Sequence, residues 1–176
     1  MFKIIIGVVV VTIAVIGAFL LIDPNVTNNA AGSVTDVAST FTVAIEGEVY
    51  KTGNFTMKEG STIGDLIETA GGVTVNADSR AYYLEAEISK GMTYFIASRY
   101  DSSDICSTSE VEKVNINVDD VATLTTVSGI TSTIANSIVS YRNEKGLFST
   151  LEQLLEVYGI GNATYRKIRG YVFLHA

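Results

Sequence analysis

The sequence predicts an α+β protein in three parts: an N-terminal transmembrane helix, a small mixed domain of strands and one helix, and an all-α domain at the C-terminus. Three observations carry this. Residues 4–22 form an apolar run without a charge, and about 20 such residues cross a bilayer as a helix. Two stretches of alternating side chains, 41–49 and 92–97, bracket a capped amphipathic segment, the pattern of half-buried strands packed on a helix. Finally, the segment Val121–Arg142 repeats its apolar skeleton thirty positions later, and self-similarity at a fixed period means a structural unit used twice.

In chain order, the apolar run has Lys3 before it and Asp23 after it. The bias of basic residues predicts a cytoplasmic N-terminus, with everything after Asp23 on the outer face of the cell membrane. A cleaved leader is the alternative, but its apolar core is shorter, and Asn29-Ala30-Ala31 makes a poor cleavage site. Residues 1–23 are therefore expected to be an anchor. Residues 24–40, rich in Asn, Ser, Thr, Ala and Gly without apolar period, are expected to be a flexible tether.

Residues 41–100 carry the mixed domain. Phe41, Val43, Ile45 and Val49 fall on one strand face, Lys51–Asn54 reads as a turn, and Phe55-Thr-Met57 begins a second strand. Thr62-x-x-Asp65 is a capping box that opens a short helix with Ile63, Leu66, Ile67 and Ala70 inward, closed by Gly71-Gly72. The words Gly47-Glu-Val49, Glu59–Ile67 and Ala70–Val73 resemble the SLBB family, a β-grasp variant. That resemblance implies an interaction module for soluble ligands, polysaccharides or proteins. Glu46, Glu48, Glu85 and Glu87 are expected on acidic solvent faces. An exposed sheet edge invites pairing, so a homo-oligomer through this module is expected too. Residues 101–113 read as a polar linker holding the single cysteine, Cys106, which either pairs between chains or stays a free thiol.

Residues 114–176 carry the repeat. Val121 falls on Leu151, Leu124 on Leu154, Val127 on Val157, Gly129-Ile130 on Gly159-Ile160, and Ile138 on Ile168. In the first copy Asn117 is expected to cap a helix with Val118, Val121 and Leu124 on its buried face. Gly129 then allows the chain to reverse, and a second helix buries Ile134, Ala135, Ile138, Val139 and Tyr141. In the second copy Ser149-x-x-Glu152 reads as a capping box, followed by Leu151, Leu154 and Leu155, the turn Tyr158–Gly161, and a last helix that Asn162 is expected to cap.

The apolar-x-Gly-Ile-Gly pattern between short helices resembles the helix-hairpin-helix, here in paired form. With Val114–Asn117 before it, and with Tyr141-Arg142 and Gly146–Leu151 between copies, it resembles the C-terminal domain of the ComEA family of competence DNA receptors. The resemblance implies non-specific binding of double-stranded DNA, with backbone amides at the start of each second helix aimed at phosphate. Amides at such a position form an anion site, and phosphate contacts position a protein without reading sequence. Carried over, Gly159, Ile160 and Gly161 match in full. Gly129 and Ile130 match, while Thr131 replaces the second glycine, Ser128 a common proline and Ile134 a frequent lysine. Arg166, Lys167 and Arg169 supply cationic charge near the intact hairpin, and Arg142 and Lys145 are further candidates.

Charge constrains the reading. The chain carries −7 overall, but residues 23–113 hold 6 basic and 14 acidic residues, whereas residues 114–176 hold 5 of each. A neutral binding domain predicts modest, salt-sensitive affinity for nucleic acid. Enzyme classes lack their inventory: the one histidine is His175, and no metal-ligand cluster, phosphate loop or nucleophile elbow is present. No cofactor is expected. The full order of parts resembles the membrane-bound ComEA of Gram-positive bacteria, which implies competence channel and pilus components as partners. The alternative is a surface polysaccharide-binding or export accessory protein whose hairpins serve protein contacts.

Overall fold

The computed structural model describes residues 39–101 and 109–176. The expected anchor, nearly all of the tether, and Cys106 lie outside the described residues. Among the described residues no helix is long and apolar enough to cross a membrane.

The mixed domain is built on β1 (Thr40–Gly47), β2 (Gly53–Lys58) and β3 (Thr93–Ile96), in the order β2-β1-β3. β2 runs antiparallel to β1 and pairs Val43 with Phe55; β3 runs parallel and pairs Ile45 with Tyr94. Alternation puts Val43, Ile45, Met57, Tyr94 and Ile96 on the covered face. Helix α1 (Ile63–Thr69) covers them with Ile63, Leu66 and Ile67. Its capping box forms as expected: Asp65 N–H donates to Thr62, whose own amide donates back to Asp65 Oδ2 at 2.8 Å. A 3₁₀ turn, Ser79–Ala81, leads towards β3. The expected β-grasp-like arrangement of a sheet crossed by one helix is present.

The C-terminal domain opens with β4 (Val114–Asn115), which pairs in parallel with β5 (Val172–Phe173), the last strand, and so ties the ends of the domain together. Between them lie α2 (Val121–Leu124), α3 (Ser132–Lys145), the 3₁₀ helix Leu151–Glu156 and α4 (Asn162–Ile168). Leu124, Val127, Ile130, Ile138, Leu151, Leu154, Val157, Ile160 and Ile168 form one core. Two copies of a helical hairpin share it, because neither copy has enough apolar surface to close alone.

Four local expectations are corrected. Asn117 does not cap the first helix: Asp120 does, accepting from Thr123 N–H at 2.8 Å. Asn117 is buried, donating to the carbonyls of Phe148 (2.9 Å) and Leu174 (3.0 Å) and accepting from Phe148 N–H (2.8 Å). Val118, expected inward, is 72% exposed. The second capping box is shifted by one: Gln153 Oε1 accepts from the amides of Ser149 (2.7 Å) and Thr150 (3.3 Å), leaving Glu152 buried elsewhere. The last helix is capped by Gly161, without a side-chain bond, and Asn162 is its first residue. Asn117 and Glu152 each have the right local chemistry for a cap but are claimed by a distant partner.

The two domains pack together. Ala81 and Ala97 of the mixed domain belong to the same core as the hairpins, with Tyr83 and Phe95 against it. Glu152 Oε1 accepts from Phe95 N–H at 2.9 Å and from the Tyr165 hydroxyl at 2.8 Å. Lys113, buried at the end of the expected linker, reaches Asp78 at 2.7 Å and the Ser98 carbonyl at 2.6 Å. Arg80 also binds Asp78 (2.9 Å), and its guanidinium lies 4.9 Å over the Phe173 ring. Tyr83 stacks on His175 at 4.4 Å.

Candidate nucleic-acid interface

Each hairpin turns through a glycine in the left-handed region, Gly129 at φ +113° and Gly159 at φ +90°, where any side chain is strained. In each, the amide of the next isoleucine closes the turn on the valine two residues before the glycine, Ile130 to Val127 and Ile160 to Val157, both at 3.0 Å. The isoleucines are buried and act as pegs. Each turn lies on the other copy's second helix. A Cβ built on Gly129 would meet Ile168 Cγ2 and Lys167 Cδ at 3.1 Å, and one on Gly159 would meet Ile134 Cγ1 at 3.4 Å. Ile134, which stands where relatives often have lysine, is therefore the floor of the second hairpin.

The hairpins differ at the start of the helix that follows. Thr131 caps α3, its hydroxyl accepting from Ile134 N–H at 3.3 Å. That bond occupies one first-turn amide, which explains what the threonine does in place of glycine. Gly161 makes no side-chain bond to α4. Its φ of −94° suits any residue, and a Cβ there would meet nothing within 4 Å. No internal contact requires Gly161 to be small.

The expected cations divide into two groups. Lys167 reaches from α4 across to Gly129, so one side chain serves both copies. Arg166 is exposed on the same helix, and Lys145 is exposed at the end of α3. Arg142 is instead turned inward, donating to the carbonyls of Ile116 (2.9 Å) and Val118 (3.4 Å). Arg169 is only 18% exposed; it pairs with Glu46 at 3.0 Å and covers the Phe95 ring at 3.9 Å. The structure thus puts Gly159, Ile160 and Gly161 at the start of α4, Arg166 exposed further along that helix, and Lys167 against Gly129, next to Ile130 and Thr131, and sets Arg142 and Arg169 to structural contacts.

The buried roles of two carboxylates, Glu152 and Asp78, escaped sequence reasoning. Burial pushes the Glu152 carboxyl above the usual glutamate range, although the Phe95 amide and Tyr165 hydroxyl both donate to it. Burial also pushes the Tyr165 phenol upward, as does the Glu152 charge, so the phenol stays a donor. Burial opposes ionisation of Asp78, yet bonds from Arg80 and Lys113 outweigh it and hold the carboxyl at about 2. The one available signal was a glutamate set among Leu151, Leu154 and Leu155. Among the described residues no group of His, Cys, Asp and Glu is arranged to hold a metal ion.

Comparison with known proteins places both halves. Residues 109–173 match the helix-hairpin-helix motif family, and residues 42–95 match the SLBB domain family. The chain is therefore of the class in which an SLBB domain carries paired helix-hairpin-helix units. It is 28% identical over 139 residues to ComE operon protein 1 of Bacillus subtilis (strain 168), covering 74% of this chain and 68% of that one. In domain content and order the chain is similar to that protein, and both halves of it have a matching family. Shorter similarities reach larger proteins. Endonuclease/exonuclease/phosphatase family domain-containing protein 1 of Bos taurus is 44% identical over 61 residues, covering 35% of this chain and 11% of that protein. Transcriptional accessory protein Tex of Neisseria gonorrhoeae is 34% identical over 59 residues, covering 34% and 8%. The chain spans about a tenth of each of these, so they share a module with it rather than an architecture.

Proposed function

We propose that the chain binds double-stranded DNA without sequence preference as the receptor step of DNA uptake in natural transformation. The similarity to ComE operon protein 1 and the helix-hairpin-helix match support DNA binding for competence. The observation that carries the reading is the contrast at the second hairpin: Gly159 is small because the turn demands it, whereas Gly161 has open space around it and an uncapped helix start behind it. Amides at such a start, with Arg166 and Lys167 beside them, suit a phosphodiester. Phosphate contacts of this kind carry no base information, so binding through them is blind to sequence.

In this reading residues 1–23 anchor the protein, and the described residues stand outside the cell membrane with the N-terminus in the cytoplasm. DNA is passed on to competence channel and pilus components, and copies associate through the SLBB domain. The test is retention of random duplex by the full chain across a salt series. Retention that weakens steadily with salt supports the receptor. No retention at low salt, with the protein folded, contradicts it and favours the polysaccharide or protein-contact alternative.

A further inference from the structure

Between α4 and the turn leading into β3 lies a cleft of about 390 Å³, lined by Asn162, Arg166 and Arg169 on one side and by Glu46, Gly91 and Thr93 on the other. It begins at the residue after Gly161. An α-helix rises 1.5 Å per residue, so Arg166 and Arg169 stand roughly 6 and 10 Å along the axis from Asn162. They are three residues apart and share a face. A strand held at the second hairpin and running along α4 passes both arginines before it leaves the protein.

Arg169 is already engaged. Its Nη2 lies 3.0 Å from Glu46 Oε2, and the guanidinium is stacked 3.9 Å over Phe95. The stacking fixes where the fork points, but the ion pair is lopsided: the Arg169 side chain is 18% exposed and the Glu46 side chain 51%. A pair open to water on its acidic side is weak. A phosphate, which accepts two parallel bonds from a guanidinium, competes well for it. Glu46 is contributed by the end of β1, so the SLBB domain supplies one wall of the cleft and its only carboxylate lining residue.

We propose that this cleft is a further phosphate subsite for the duplex, built jointly by the two domains, in which Glu46 holds Arg169 until a phosphate displaces it. The SLBB domain then sets the strength of DNA binding. The proposal rests on the duplex being the ligand and adds a place and a restraint to that reading.

The experiment compares retention of random duplex across a salt series by the full chain in a mild non-ionic detergent, for wild type, Glu46→Gln, Thr93→Lys and Thr56→Lys. Glu46→Gln frees Arg169 and keeps the size of the side chain. Thr93→Lys adds a cation to the exposed lip of the cleft without touching the ion pair. Thr56→Lys adds the same charge on β2, at the other edge of the sheet. The expected result is about fivefold tighter binding for the first two, each with a salt slope steeper by about one ion, in line with ~0.9 per phosphate neutralised. Thr56→Lys should bind as wild type does. The proposal is overturned if affinity and slope stay at wild-type values in both cleft variants. It is also overturned if Glu46→Gln weakens binding while Thr93→Lys changes nothing, or if Thr56→Lys gains as much as Thr93→Lys. Failure of the wild type to retain duplex defeats the underlying reading instead, before any variant is compared.

Discussion

At Gly159 the backbone stands at φ +90°, and at Gly129 at φ +113°, while Gly161 lies in an ordinary extended conformation with nothing near its missing Cβ. Sequence alone marks all three as glycines of one motif and cannot separate them, because the spacing does not report φ. The separation makes a prediction about stability. Left-handed backbone costs a residue with a Cβ roughly 1–2 kcal/mol, so Gly159→Ala should destabilise by about 1 kcal/mol. Gly129→Ala should cost more, because its new methyl would also stand 3.1 Å from Ile168 and Lys167, against 3.4 Å from Ile134 in the second hairpin. Denaturant unfolding of both variants checks the order; equal or reversed losses would contradict this account of the turns. The residue scale also shows where local patterns mislead. Asn117 and Glu152 each sit at a plausible capping position, but Asn117 bonds Phe148 and Leu174, and Glu152 bonds Phe95 and Tyr165. Partners up to 57 residues away leave no trace in a window of four.

At the scale of elements, the three strands and the capped helix of the mixed domain were readable, because alternation and the Thr62–Asp65 box are local signals. The hairpins were readable from their repeat. What was not readable is that the 3₁₀ helix Leu151–Glu156 is a joint between domains, with the β3 amide of Phe95 bonded to Glu152. That joint predicts a pH dependence. The folded protein raises the Glu152 pKa, mainly through burial, so folding favours the protonated form. Its contribution is then fully present below the unfolded value, about 4.3 for glutamate, and is lost as pH rises through the higher folded value. Glu152→Gln keeps an acceptor for Phe95 and removes the titration. Its stability relative to wild type should therefore rise as pH goes from 4 towards 8, by unfolding midpoints at each pH. A constant difference would mean that Glu152 is not strained by its burial. Asp78 acts in the opposite sense and a separate window: held at about 2 in the fold, it adds stability above the ordinary aspartate range that disappears only as pH falls through its folded value.

At the scale of the molecule, the two-domain plan was legible and the packing between the domains was not. Composition divides residues 23–176 into an acidic stretch and a neutral stretch. Ala81, Ala97, Tyr83 and Phe95 look like ordinary members of the first domain, yet they pack on the core of the second. Small and aromatic side chains carry no mark of which neighbour they will meet. The packing has a consequence for binding, because it brings acidic Glu46 against α4 and leaves few cations free near the hairpins. With Arg166 and Lys167 beside the hairpins and Lys145 at the end of α3, about two or three phosphates are neutralised. The salt slope of duplex retention by wild type should then be about −2 to −3, at ~0.9 per phosphate. A slope near zero would remove phosphate contacts from the account; a slope several units steeper would require many more cations on the path than the face provides.

The most direct measurement is duplex retention by Gly161→Thr, which gives the second hairpin the capping residue of the first. A threonine at this position gains the hydroxyl bond that Thr131 makes to Ile134, so the fold should be at least as stable, with an N-cap bond worth about 1 kcal/mol at most positions. The same bond occupies a first-turn amide and puts a side chain where a phosphate must approach. A hydrogen bond to a charged group is worth about 1.5–3 kcal/mol, so retention should fall by about tenfold or more while the melting temperature holds or rises. Unchanged retention by a folded Gly161→Thr protein would contradict the claim that amides at this turn hold the DNA backbone.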